Sequence, residues 1–79
     1  MITVKAKYLQ LSRMLKVKEE DFVMDSRSCY GDLLQAVRKK HPSLTYVVML
    51  VLIDGTPPHP DTELKDGDEV DFLASPMGG

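Results

Sequence analysis

Seventy-nine residues can bury one compact core and leave little free energy for a deep active-site cavity, which argues against a self-sufficient enzyme. The composition, 43% apolar and 28% charged, is that of a soluble domain, and the longest apolar run, Val47 to Ile53, is far too short to span a bilayer. A net charge of −2 lacks the basic footprint of nucleic-acid binding, and the single cysteine, Cys29, forms neither an intrachain disulfide nor a thiolate metal cage.

Ile2, Val4 and Ala6 alternate with Thr3, Lys5 and Lys7 and run to Tyr8, the period-two pattern of a strand with one buried face. Leu9, Leu11, Met14, Leu15 and Val17 break that alternation around Ser12 and Arg13, which predicts a short helical turn or an irregular connection. The charged group Lys18-Glu19-Glu20-Asp21 then leads into Phe22-Val23-Met24, a short second strand hairpinning back on the first. Ser28 offers an N-cap oxygen, and from Cys29 to about His41 the residues Tyr30, Leu33, Leu34 and Val37 recur at helical spacing. Asp32 near the start and Arg38, Lys39 and Lys40 near the end complement the helix dipole, and Pro42 stops the helix. Those cations have a structural reason to be there, with a docking patch as their functional alternative.

Tyr46 to Ile53 is apolar without alternation and reads as the middle strand of the sheet. Asp54-Gly55 signals a hairpin turn, and Pro57-Pro58-His59-Pro60 cannot donate ladder hydrogen bonds, so an exposed loop or sheet edge is expected there. Leu64-Lys65-Asp66-Gly67-Asp68 supplies a second tight turn, after which Val70, Phe72 and Ala74 alternate with Asp71 and Leu73 in a last strand. Ser75-Pro76-Met77-Gly78-Gly79 has no periodicity and almost no side-chain bulk. The element order is that of an α+β β-grasp: a mixed sheet of four to five strands packed on one main helix over residues 1–74, with a flexible tail over 75–79. The first and last strands are expected side by side and parallel at its centre.

Side-chain catalysis finds no support in the sequence. No acid–base pair stands at a useful spacing, no Gly-rich loop follows a strand, and no nucleophile has an evident histidine partner. Asp66, Asp68, Glu69 and Asp71 cluster on a turn and the polar side of a strand, where solvation is the ordinary role, and Cys29 reads as a small buried hydrophobe. His41 and His59 each adjoin a proline and read as solvent-facing turn residues, so no metal site is expected. Charge is unevenly spread: Met1 to Lys40 carries nine Lys or Arg against five Asp or Glu, and the remainder one against seven, or +4 and −6. An acidic half can steer encounter with a basic partner, though a solvated face explains it as well. Two glycines at the end are different, because they strip side chains from around the carboxylate of Gly79 and let it thread a narrow channel in a partner. A carboxylate is a poor electrophile, so a partner must first convert it to a mixed anhydride with AMP, which a sulfur nucleophile can displace to leave a thiocarboxylate. For contact with that partner the candidates are Phe72 or Leu73, whichever faces out, with Pro76 and Met77 leading into the channel.

Leu64-Lys65-Asp66-Gly67-Asp68-Glu69-Val70-Asp71-Phe72 followed by Pro76-Met77-Gly78-Gly79 resembles the C-terminal signature of the MoaD/ThiS family of ubiquitin-like sulfur carriers, and the likeness extends over nearly the whole chain. Lys5-Ala6-Lys7-Tyr8 and the leucine-rich connection after it resemble the MoaD branch, the small subunit of molybdopterin synthase, more than the shorter ThiS branch. Met1-Ile2-Thr3-Val4-Lys5 lacks the charged, then apolar, then small-residue order of a signal peptide, so a cytoplasmic protein is expected. The resemblance implies a carrier with no bound cofactor, not catalytic alone, whose Gly79 is adenylated by a ubiquitin-activating-like adenylyltransferase of MoaB or ThiF type. A sulfur donor such as a cysteine desulfurase or rhodanese would convert it to the thiocarboxylate, and the tail, with Gly78 giving steric allowance, would enter a MoaE-like large subunit to build the molybdopterin dithiolene. Ala74-Ser75-Pro76-Met77 departs from the consecutive prolines of many MoaD proteins. Archaeal small modifiers share the fold and terminus, so conjugation of Gly79 to lysines, or sulfur carriage for thiamine or tRNA thiolation, stands as the alternative.

Overall fold

A computed structural model describes residues 1–74; the expected tail over 75–79, with Pro76, Met77, Gly78 and Gly79, lies outside the described residues. The chain runs through β1 (Ile2–Tyr8), a one-turn helix α1 (Ser12–Leu15), β2 (Glu19–Met24), the main helix α2 (Tyr30–Lys40), a 3₁₀ turn over Pro42–Tyr46, β3 (Met49–Ile53) and β4 (Glu69–Ala74). The four strands form one mixed sheet in the order β2-β1-β4-β3. β1 pairs antiparallel with β2 and parallel with β4, and β3 pairs antiparallel with β4, so the first and last strands lie side by side at the centre as expected.

One face of this sheet holds the core. Val4, Ala6 and Tyr8 of β1 and Val70 and Phe72 of β4 meet Leu33 and Val37 of α2, with Leu44 of the 3₁₀ turn and Leu64 of the last loop completing it, all at most 1% exposed. Each such side chain contributes about 1.5–3 kcal/mol of burial free energy, so these alternating positions supply much of the stability of so small a domain.

Three expectations are corrected. β2 begins at Glu19, before the apolar triplet, because its carboxylates face lysines: Lys7 lies opposite Glu19 and Lys5 opposite Asp21, so the charges favour the strand they appeared to precede. α2 is capped by Cys29, not Ser28: the Cys29 amide donates to Asp32 Oδ2 at 2.9 Å in a capping box, while the Ser28 carbonyl accepts from the Leu64 amide. β3 is the rim of the sheet, not its middle, and Tyr46 to Val48 precede the strand. In its unbroken apolar run Met49, Val51 and Ile53 face the core side, while on the outer face Leu50 stands opposite Leu73 and Leu52 opposite Asp71.

The turns match their sequences. Asp54 and Gly55 both have positive φ, 53° and 78°, and Ile53 and Thr56 exchange two hydrogen bonds across them, the two-residue hairpin geometry that this dipeptide favours. Pro57, His59 and Pro60 are exposed, yet the loop also serves the helix: the carbonyls of Thr62 and Pro60 accept from the first amides of α2, Tyr30 and Gly31.

Candidate functional site

Register sorts the outer face of the sheet into rows. Lys5, Asp21 and Glu69 share one row, and Lys7, Glu19, Asp71 and Leu52 share the next. Ion pairs knit these rows together: Lys7 Nζ pairs with a Glu69 carboxylate, and Lys5 Nζ approaches Glu19 at 3.9 Å. Hydrogen bonding to Glu69 and its negative charge hold the Lys7 pKa above its usual value, and the same pair holds Glu69 below its own.

The row at the C-terminal end of β4 is different. Leu73 stands opposite Leu50, and no charged residue accompanies them. Leu9, whose amide donates to the Phe72 carbonyl at 3.1 Å, is 54% exposed at the same end, and Val48 and Leu50 are 60% and 42% exposed. An apolar strip therefore borders the end of β4, from which the chain continues towards Gly78 and Gly79. Solvated leucines and a valine gathered at one end of the sheet, next to two rows laced with ion pairs, have the character of a docking surface.

The same alternation divides the two contact candidates. Phe72 is fully buried on the core side with its ring centroid 5.8 Å from that of Tyr8, so it is a core residue and not a surface contact; Leu73 is the member of the pair on the outer face. In the sequence, the absence of charge from Tyr46 to Ile53 is the signal for exposed Val48 and Leu50, and Leu9 has no such signal.

Glu20, Tyr8, His41 and Lys40 form a titratable cluster at the edge of the core, and it is structural. Glu20, half-buried on β2, accepts from the Tyr8 hydroxyl and from His41 Nε2, each at 2.5 Å, and pairs with Lys40 Nζ at 2.5 Å. His41 is thus no solvent-facing turn residue: its side chain is 16% exposed and stands edge-on to the Tyr8 ring. Burial alone would raise the Glu20 pKa, but hydrogen bonds from Lys40, Tyr8 and His41 outweigh it and bring it down to about 2. Burial first, and then the bond to Glu20, raise that of Tyr8. Lys40 also lies 5.5 Å over the Phe22 ring, so at least this cation of the helix end serves the fold.

The remaining candidates resolve similarly. Asp66 accepts the Thr3 amide and Asp68 the Lys65 amide, both at 2.8 Å, so these carboxylates hold turns in place. Cys29 is half-buried at the start of α2. Among the described residues no group of three or more potential ligands is gathered for a metal ion, and no helix is long and apolar enough to cross a membrane.

A four-stranded mixed sheet gripping one helix, with an apolar outer strip beside the end of its last strand, defines a ubiquitin-like β-grasp protein of the sulfur-carrier or modifier class. The chain belongs to the ThiS family, whose model matches residues 6–79. It is similar to the putative molybdopterin converting factor subunit 1 of Pyrococcus furiosus, at 27% identity and a TM-score of 0.85 over 94% of this chain and 98% of that one. It shares its fold with the small archaeal modifier protein SAMP1 of Haloferax volcanii, at 22% identity, a TM-score of 0.82 and coverage of 98% and 99%. The fold also matches a chain in a complex of subunits 1 and 2 of the Helicobacter pylori molybdopterin-converting factor, at 18% identity, a TM-score of 0.67 and coverage of 99% and 100%. No curated protein matches the sequence.

Proposed function

We propose that this chain is a sulfur carrier acting in the cytoplasm as the small subunit of a molybdopterin synthase, with Gly79 as the residue that bears the sulfur. The observation that carries the reading is the charge-free strip of Leu50 and Leu73 at the end of β4, beside the point where the chain leads on to Gly78-Gly79. A partner that grips this strip receives the Gly-Gly segment in a fixed direction, and the missing side chains at Gly78 and Gly79 let the carboxylate enter a narrow channel. Membership of the ThiS family and the likeness to the Pyrococcus furiosus protein support the carrier chemistry and the molybdopterin branch, and the Helicobacter pylori complex supports a larger subunit as acceptor.

The carboxylate oxygen of Gly79 attacks the α-phosphorus of ATP on a ubiquitin-activating-like adenylyltransferase, and pyrophosphate leaves. The terminal sulfur of a persulfide on a cysteine desulfurase or rhodanese then adds to the carbonyl carbon and expels AMP to give an acyl disulfide, and a second thiol attacks the donor's sulfur, forming a disulfide with it and releasing the thiocarboxylate. In the large subunit that sulfur bonds to a carbon of a pterin precursor, and water cleaves the acyl–sulfur bond, leaving the sulfur on the pterin and returning Gly79 to the carboxylate. Leu73, Pro76 and Met77 contact the partner, and the described side chains of this chain take no part in bond making.

The test is the intact mass of the protein from its own cells, with fragmentation of the C-terminal peptide. Replacement of one oxygen by sulfur at Gly79 is expected, in cells that are making molybdopterin and after handling that preserves thiocarboxylates. Recovery of Gly79 only in amide linkage to lysines of other proteins would move the reading to conjugation, and an unmodified residue would end it. Deleting Gly79 is expected to abolish sulfur transfer while leaving thermal stability unchanged, because a terminal glycine has no side chain to bury.

A further inference from the structure

The outer edge of β3 is open in a way that fits a second copy of the same strand. Ile53 exchanges both its backbone hydrogen bonds with Thr56, so its amide and carbonyl face away from β4. Alternation then turns those of Leu50 and Leu52 towards β4 and those of Met49 and Val51 outwards. Among the described residues, the hydrogen bonds outside the regular elements include none to the amide or carbonyl of Met49 or Val51. Unpaired strand groups of this kind template another strand unless charge, proline or a bulge blocks them. From Pro42 to Ile53 the chain carries no charged residue, and within β3 it has no proline.

We propose that β3 pairs antiparallel with β3 of a second copy about a two-fold axis through Leu50. This register places Met49 opposite Val51 of the other copy in both directions, so all four outward groups on each strand find partners at once. Leu50 meets its own counterpart in the non-hydrogen-bonded pair, where side chains approach most closely. The charge-free segment brings no like-charge repulsion to this self-contact and offers a charged foreign strand nothing to select. The Ile53–Thr56 hairpin ends the seam at Leu52, so the seam is short and the dimer weak and dependent on concentration. The pairing also covers Leu50; if the docking strip proposed above is right, dimer and partner complex exclude one another, and the dimer is a resting form.

Sedimentation equilibrium of the full chain between micromolar and millimolar concentration is the experiment. A monomer–dimer equilibrium is expected, and Leu50→Lys, which sets two cations face to face on the axis, is expected to raise the dissociation constant roughly tenfold or more with an unchanged circular dichroism spectrum. In a Cys29→Ser background, Leu50→Cys is expected to give a covalent dimer on oxidation, while Val48→Cys, displaced from its counterpart along the strands, does not. A monomer at millimolar concentration, a dimer indifferent to Leu50→Lys, or equal cross-linking from position 48 overturns the proposal. A chain whose β3 amides gain exchange protection only with a different protein likewise overturns it and assigns the edge to that partner. None of these readouts depends on sulfur at Gly79, so failure of the carrier reading and failure of the dimer are separable.

Discussion

The two rims of the sheet are built to opposite specifications. β2 carries Glu19 and Asp21 on its outer face and sends Glu20 inward to Tyr8, His41 and Lys40, so it is both charged against intruders and fastened to the end of α2. β3 carries no charge, leaves Leu50 exposed and borders the strip at the end of β4. Protection by charge is the usual condition of an edge strand, and its absence on one rim marks where contact is wanted. On the reading proposed above, the difference also divides the molecule into a rim that stabilises the fold and a rim that meets other chains.

If that division is right, the β2 rim carries the larger effect on stability of the two rims. Glu20→Ala removes the acceptor shared by three donors and leaves the buried Tyr8 hydroxyl without its partner, so a loss of about 2–3 kcal/mol is expected. In a domain of this size that lowers the thermal midpoint by roughly 10–20 °C, measurable by calorimetry. A change of less than a few degrees would break the comparison.

The second effect is pH dependence. Glu20 is depressed to about 2 in the folded chain and returns to the ordinary carboxylate value on unfolding, so its contribution is fully present above that ordinary value. It is lost as pH falls from about 4.5 through about 2, an amount on the order of 2 kcal/mol after allowing for screening near the surface. Denaturant titrations across this window are expected to show that slope in the parent chain and a flatter one in Glu20→Gln.

The smallest stability effect belongs to the opposite rim. Leu73→Glu is expected to change stability by only about 0.5 kcal/mol or less, because the side chain is on the outer face, while abolishing capture of the large subunit in a pull-down. Phe72→Ala, one residue away, is expected to cost about 3–5 kcal/mol through its buried ring. Equal stability losses at 72 and 73 would show that the outer strip belongs to the core.

Local chemistry was legible from the residues. The alternation of Ile2 to Tyr8, the helical spacing of Tyr30, Leu33 and Val37, and Asp54-Gly55 each act through neighbours in the chain, so each appears in the structure where the pattern put it. The short reach of such patterns also explains the misreadings. The run Tyr46 to Ile53 records that both of its sides are apolar, but an apolar side facing a partner is written like one facing a core, and the rim passed for a centre. Alternation established that Phe72 and Leu73 face opposite ways; only pairing with β1 and packing under α2 decided that Phe72 goes inward. Glu20 and His41 are twenty-one residues apart, and no local pattern joins them. What the sequence by itself determined was the four strands, the main helix and the glycines that follow β4, because propensity and periodicity are local. The order of the strands, the apolar strip beside the end of β4 and the carboxylate that fastens β2 to α2 came only with the tertiary structure, because each depends on which distant segments lie side by side.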